Sequence, residues 1–397
     1  MNVIFISPHF PTHFYRFCQR LKERGVTVLG IGDAPWEAIG ADCQNSLTDY
    51  AYVPSLENYE AVFRAVARFI FQYGRIDFVE SENEYWLELD ARIRTDFNIC
   101  TGPKLDALAA MNHKSRMKEA YARAGVPAAR WCLPQTQAEA QRFAEQVGWP
   151  VIVKPDKGVG ASNTYRLKDA AELAAFWASR DTAVPFIEEE YVPGHVETFD
   201  GITDSRREVL FCASQVMGVS LMDAVNENAS VVSWCQAPAQ DLREAGEKVL
   251  KQFDTRNKFF HFEFFRLDQD KEGLGKKGDL LGLEVNMRAP GGRIPDKMNF
   301  AFDTDVYTIW ADSLIHDRCF LSGSFRRYIT HVGRKEGRRY LRTPEQVRTA
   351  LGGAILEEFD VPEALSAEMG SHAWLLKAET DAQRKEQIAL ILEEETV

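Results

Sequence analysis

The sequence predicts a mixed α/β chain: a parallel α/β domain, then a strand-rich α+β body, then a small α+β unit. Three observations carry this. Strand and helix patterns alternate over the first hundred residues, which is the signature of a parallel sheet. Strand patterns dominate from about 200 to 290. The tail from about 322 reads strand–helix–strand–helix. At 397 residues the chain exceeds what one core usually supports, so several domains are expected.

In order, "NVIFIS" is a strand, "HFYRFCQRLKERG" a helix ending at Gly25, and "VTVLGIG" a second strand. "YEAVFRAVARFIFQYG" is a helix closed by Gly74, and "IDFVES" another strand. Ligands of parallel sheets sit beyond strand C-termini, where the loops Ser7–Pro11 and Glu80–Glu84 fall. "DALAAMNHKSRMKEAYARAGVP" is expected to form one helix stopped by Gly125 and Pro127, with Lys114 in its middle. Thr136 and Glu139 form a capping-box pattern that opens a helix ending near Gly148.

"VIVKP" is a short buried-type strand, "DKGVGASNT" a Gly-rich loop, "LKDAAELAAFWAS" a helix, and "FIEEEYVPG" a strand entering a turn. "DLREAGEKVLKQFD" is a helix. "FFHFEFFRLD" and "DLLGLEVNMR" form a hairpin across the charged loop "QDKEGLGKKG". In the tail, "YITHVGR" and "HAWLLKA" are strands, while "TPEQVRTALGGAILEEF" and "DAQRKEQIALILEEE" are helices.

Composition narrows the function. Apolar residues make up 45%, charged residues 27%, and the net charge is −12. That balance fits an ordinary globular protein, and with no basic stripe it argues against a nucleic-acid binder. Seven scattered cysteines without a CxxC pair read as reduced thiols. The N-terminus lacks a basic region leading into a long apolar core, and no run approaches 18 apolar residues. The expectation is a cytoplasmic protein with no membrane span. The histidines lack metal spacing, and no GxSxG elbow occurs.

The hairpin holds the densest chemistry. "LEVNMRAPGG" alternates, so Glu284, Asn286 and Arg288 share one face while Val285 and Met287 share the other. Glu263 lies among phenylalanines on the partner strand, where an unpaired carboxylate is costly. Two carboxylates and an amide oxygen suit a hard cation such as Mg²⁺. The other readings are that Glu263 pairs with Arg266 or Arg288, or faces solvent. Lys154 ends an apolar strand just before a Gly-rich loop, an arrangement that suits phosphate. The loop is not a Walker A, because GxxxxGK[ST] is absent. Lys114 alone reads as solvated surface. The run Glu188–Glu190 is either a solvated face or the lead-in to a backbone edge that meets an adenine.

Taken in order, these pieces resemble the ATP-grasp superfamily. They are Lys114 in "MNHKSRMKEAYARAGVP", Lys154 in "VIVKPDKGVGASN", "IEEEYVPGHVE", "HFEFF" and "LEVNMRAPGG". The resemblance covers about 103–320, and the residues before it look like the pre-ATP-grasp domain of that superfamily. It implies a pre-ATP-grasp (Rossmann-like) domain over 1–102 and an ATP-grasp domain over 103–320. The latter divides into an A subdomain to about 190 and a B subdomain from about 191, with the C-terminal unit at 321–397.

The resemblance also implies roles. Lys114 and Lys154 would contact ATP phosphates, and the loop Gly158, Gly160 and Ser162 would fold over them. Glu189, Glu190 and Val192 would form the adenine hinge, and Glu197 would bind the ribose, although "GHVE" has one residue more than the commonest spacing. Glu263, Glu284 and Asn286 would hold Mg²⁺, with Mn²⁺ as an alternative. Arg288 would face the transferred phosphate or a substrate carboxylate. Gly291, Gly292 and Arg293 would border the substrate.

Glu82 or Glu84 would hold a substrate ammonium or else be surface acids. The implied reaction is ATP-dependent joining of a small-molecule carboxylate to an amine, with amino-acid-like substrates, through an acyl phosphate. The rivals are a carboxylase, an acyl-CoA ligase, and a non-catalytic nucleotide-binding module. The C-terminal unit is expected to shape the substrate pocket or to mediate a homodimer.

Overall fold

The structure, a computed structural model, describes residues 1–158, 163–218, 228–321, 323–361 and 363–395. The first sheet holds β1 (Asn2–Ile6), β2 (Thr27–Gly32), β3 (Asp49–Tyr52) and β4 (Phe78–Glu80). All pair in parallel, in the order β3-β2-β1-β4. The order reverses at β1, so the crevice beyond the ends of β1 and β4 is the site of ligand access in such a sheet. The loops at Ser7 and Glu82 open there, and both residues have positive φ, 54° and 51°. The two apolar faces of β1 go to different cores, as a doubly covered strand requires: Ile4 and Ile6 to one, Val3 and Phe5 to the other.

A second sheet, in the order β5-β8-β6-β7, is antiparallel. Its strands are β5 (Trp131–Cys132), β6 (Val151–Pro155), β7 (Tyr165–Leu167) and β8 (Phe186–Glu190). The helices Gln137–Val147 and Ala170–Ser179 cover one face, with Ala140, Ala144, Val151, Val153 and Leu173 as the core.

The third sheet is the largest. It contains β9 (Gly194–Thr203), β10 (Val209–Met217), β11 (Val231–Gln236), β12 (Phe259–Leu267) and β13 (Leu280–Asn286). It continues with β14 (Tyr328–Arg334), β15 (Ile355–Asp360) and β16 (His372–Ala378). The order is β13-β12-β9-β10-β11-β14-β16-β15, so the strands of the tail extend the sheet of the central body. One face is apolar near β12, where Phe260, Phe262, Phe264 and Val285 pack with Phe199, Met117 and Tyr121. The alternate residues face the other side, where the polar groups gather.

The β12–β13 hairpin forms as expected, with Glu263 opposite Glu284 and His261 opposite Asn286. Two expectations need correction. The segment 106–127 is not one helix but two, Leu105–Asn112 and Lys114–Arg123. The break at His113 (ψ 120°) is stabilised by Asp156 of the Gly-rich loop. The Asp156 backbone carbonyl accepts from Lys114 N at 2.8 Å, and its carboxylate accepts from Ser115 N at 2.8 Å and Ser115 Oγ at 3.0 Å. Two of those bonds satisfy the first two orphan backbone donors of the second helix. Lys114 is therefore a first-turn residue held against the loop, not a mid-helix surface lysine.

Likewise, the pattern "TPEQVRTALGGAILEEF" is a helix only to Leu351. Gly352 at φ 46° ends it, and Ile355–Asp360 becomes β15. All seven cysteines are free. Among the described residues no helix is long and apolar enough to cross a membrane.

Candidate active site

The site lies where the second and third sheets meet and the first-domain loop 80–84 arrives. β6 and β8 pair so that Lys154 and Glu189 share a face while Glu188 takes the other. Glu189 is buried between two ammonium groups, with Oε2 3.1 Å from Lys154 Nζ and Oε1 3.3 Å from Lys118 Nζ. Burial alone would raise its pKa, but the two lysines outweigh burial and hold it down at about 2. Burial opposes the charge on Lys154 too, yet Glu189 and Glu284 raise its pKa overall. Lys118 stands one helical turn from Lys114 and was not singled out from the sequence. The signal was the i,i+4 spacing, which places both lysines on one face of the helix.

Lys114 reaches Glu284 at 3.4 Å and donates to Gly158 O at 3.0 Å. Glu284 and Glu263 project from paired positions, each about one-fifth exposed. For Glu284, burial is the largest influence, opposed by Lys114 and reinforced by Glu263, and its pKa is raised. For Glu263, burial also acts upward, but the bond and charge of His261, with Arg288 and Lys154, hold it below the ordinary value.

His261 Nε2 lies 3.1 Å from Glu263 and Nδ1 2.6 Å from Asp200, so it bridges two acids. Burial works against its charge, and Asp200 more than compensates, pushing the pKa up to about 9. Tyr121 lies behind the acid pair. Its hydroxyl donates to Glu284 O at 2.9 Å and Glu263 O at 3.2 Å, which locks the two strands together under their side chains. Gly282 is required beside it, because a Cβ there would stand 2.3 Å from the Tyr121 ring.

The loop after β4 closes the other side. Glu84 accepts from Arg288 Nη2 at 2.5 Å. With the Asn286 amide turned to donate, its nitrogen lies 3.1 Å from both Glu84 oxygens, leaving the carbonyl oxygen to serve as an acceptor or ligand. Glu82 accepts from Ala289 N at 2.7 Å, its other oxygen is buried without a partner, and burial raises its pKa to about 7. So Glu82 and Glu84 are not surface acids; both bond to the segment from Asn286 to Ala289.

The remaining expected residues are placed as follows. Glu190 is held bidentate by Arg130 at 2.7 and 2.9 Å and by Lys271 at 3.0 Å, away from the Lys154 side. Glu188 is fully buried with neither oxygen partnered, and burial raises its pKa to about 8. Val192 is buried just after β8, packing with Leu267 and Leu281 in a small cluster. Glu197 is nearly buried and bonds to Arg266 at 2.9 Å and His195 at 3.3 Å. Arg293 bonds to Glu357 and lies 3.2 Å from Asp296. Gly291 has open space where a Cβ would point, and Gly292 adopts φ 58°. Gly158 is described, while Gly160 and Ser162 lie outside the described residues.

Among the described residues no three His, Cys, Asp or Glu side chains form a metal-type cluster. The donor set that does exist is two facing carboxylates with one amide. Two close carboxylates repel, and a hard divalent cation that keeps water or phosphate oxygens in its other positions fits such a set.

Residues 113–252 match the family model described as the carbamoyl-phosphate synthase L chain, ATP binding domain. The chain is 23% identical over 281 residues to an L-arginine-specific L-amino acid ligase of Bacillus subtilis, covering 67% of this chain. That match spans 63% of the ligase's own length.

An L-amino acid ligase from Bacillus licheniformis superposes with a TM-score of 0.71 at 15% identity, covering 98% of this chain and 95% of that one. An N5-carboxyaminoimidazole synthetase from Staphylococcus aureus complexed with ADP gives 0.69 at 11% identity, covering 98% and 95%. The family match covers the ATP-binding segment 113–252, and the likeness to the solved ligase structures shows a shared fold along nearly the whole chain.

Proposed function

We propose that this chain is an ATP-dependent carboxylate–amine ligase that forms an amide bond through an acyl phosphate, with amino-acid-like substrates. The observation that carries this is the register of Glu263 with Glu284 beside Lys114 and Lys154. Adjacent acids and lysines are poorly explained by stability alone, since buried charge sets are costly. They suit a polyphosphate and its counter-cation.

In this reading Lys114 and Lys154 hold phosphate oxygens, and Glu189 keeps Lys154 and Lys118 charged and aimed. Glu197 holds the ribose, and the backbone from Glu189 to Val192 meets the adenine. Glu263, Glu284 and Asn286 hold Mg²⁺, which neutralises charge on the phosphates when bound. His261, charged and braced by Asp200, orients Glu263. Arg288, braced by Glu84, neutralises charge on the transferred phosphate or the attacking carboxylate.

The substrate carboxylate attacks the γ-phosphorus and ADP leaves. An amine then attacks the acyl carbon, phosphate departs, and the amine loses a proton. Glu82, with one buried oxygen free and a pKa near neutrality, is the chain's group for the amine end. Hydroxylamine tests the reading. With ATP and the correct carboxylate it should yield a hydroxamate and ADP. ADP with a stable phosphorylated product and no hydroxamate would instead indicate a kinase.

A further inference from the structure

The polar face of the large sheet does not end at the acid pair. The ladder from β13 to β14 sets Glu284 beside Glu263, then Thr198, then Gln215, then Cys235, all on one face. The next rung sets Met217 beside Ser233 and His331. The helix Ile294–Phe302, which follows the double glycine, packs over β11 and β14. Its Met298, Ala301 and Phe302 join the apolar core, but Lys297 does not.

Lys297 is 2% exposed, and its Nζ donates to Ser233 Oγ at 2.8 Å. Among the described residues no carboxylate makes ion-pair contact with it. Asp200, which acts on it through space, is already bonded to Thr198 and His261. Gln215 is fully buried, and apart from the weakly bonding Cys235 thiol on the facing strand, neither its side-chain oxygen nor its nitrogen has a hydrogen-bond partner. His331 donates from Nε2 to Met369 O at 2.9 Å, which leaves Nδ1 as an acceptor.

A buried ammonium held on one strand and a buried amide on the next, with no more than a thiol for a partner, are expensive unless something occupies the space between them. Both groups donate hydrogen bonds, and together they suit an anionic oxygen pair. Burial lowers the Lys297 pKa to about 8, so the group is still mostly cationic at neutral pH. Strands lie about 4.8 Å apart, so Gln215 is about 10 Å from Glu263, and Ser233, two residues further along its strand, about 16 Å. The anion would therefore sit well away from the reacting phosphate.

We propose that Gln215, Ser233 and Lys297 form a carboxylate subsite, and that a substrate of this enzyme carries a second carboxylate remote from its reacting group. This rests on the ligase reading for which end reacts, but the binding itself does not depend on turnover.

The test is equilibrium binding of L-α-amino dicarboxylates from aspartate to 2-aminosuberate, each paired with its ω-carboxamide, to the full chain with Mg²⁺ and a non-hydrolysable ATP analogue. At least one acid should bind on the order of 10-fold or more tighter than its amide, and Lys297→Met should erase that preference. Gln215→Leu, which changes no charge, should weaken the acid several-fold and leave the amide alone. It reads the same site if Lys297→Met fails to fold. No acid preference in the wild type, or a preference that survives both variants, would overturn the subsite. Acid-selective binding without ADP release in the presence of ATP would keep the subsite and reject the ligase reading. ADP release without acid preference would do the reverse.

Discussion

Glu189 bridges Lys118 and Lys154, 3.3 and 3.1 Å from their ammonium nitrogens, and all three side chains are almost fully buried. The carboxylate is what lets two buried cations coexist on neighbouring elements. Glu189→Gln should strip both of their bonded partner, leaving only the more distant Glu284, and cost on the order of 3 kcal/mol at pH 7. The depressed pKa gives the pH window. Glu189 stabilises the fold fully above the ordinary carboxylate range, and that contribution is lost as pH falls from about 4.5 toward about 2. Urea denaturation of wild type and variant should therefore differ most at neutral pH, with the gap shrinking to under half by pH 3 and closing only below about pH 2. An equal gap at both pH values would contradict this account.

Glu284 lies across from Glu263 and within reach of Lys114. Glu284→Gln removes one of two repelling acids, so stability should stay within about 1 kcal/mol of wild type. Turnover should fall by roughly 100-fold or more, because a carboxylate in the cation set is gone. Steady-state phosphate release measures it. Activity within a few-fold of wild type would exclude Glu284 from the metal set.

Glu188 presents the opposite electrostatics, because burial alone raises its pKa, to about 8. The folded state keeps it protonated where the unfolded chain is ionised, so it penalises folding increasingly from about pH 4.5 up to about pH 8. Glu188→Gln should be close to neutral at pH 5 and stabilising by roughly 1–3 kcal/mol at pH 8. Chemical denaturation at the two pH values decides it. A gain that does not change with pH would mean Glu188 is solvated or paired.

The hairpin and the parallel domain were legible because their signals are local. Alternation in "LEVNMR" sets which side chains share a face, and two apolar runs around a Gly-rich loop suggest the hairpin, so Glu263 facing the Glu284 and Asn286 strand was legible, while the register that sets it opposite Glu284 came from the fold. The break at His113 was not legible, because helix propensity continues through it. What ends the first helix is Asp156, forty-one residues from the Ser115 that it bonds. The long-range partners were hidden for the same reason. Nothing near Arg288 in sequence points to Glu84, 204 residues away. Lys297 sits in an ordinary amphipathic helix, and only the fold places it over Ser233 and near Gln215. The strand β15 was concealed by a helical period that runs up to Gly352, where a positive φ ends it.

The central claim is that a substrate carboxylate is phosphorylated before the amine attacks. Transfer of ¹⁸O tests it most directly. A carboxylate substrate labelled with ¹⁸O, given ATP and the amine, should deliver one labelled oxygen to inorganic phosphate, because the oxygen that attacked phosphorus leaves with it. Amide formation with wholly unlabelled phosphate would contradict the acyl phosphate and the account built on it.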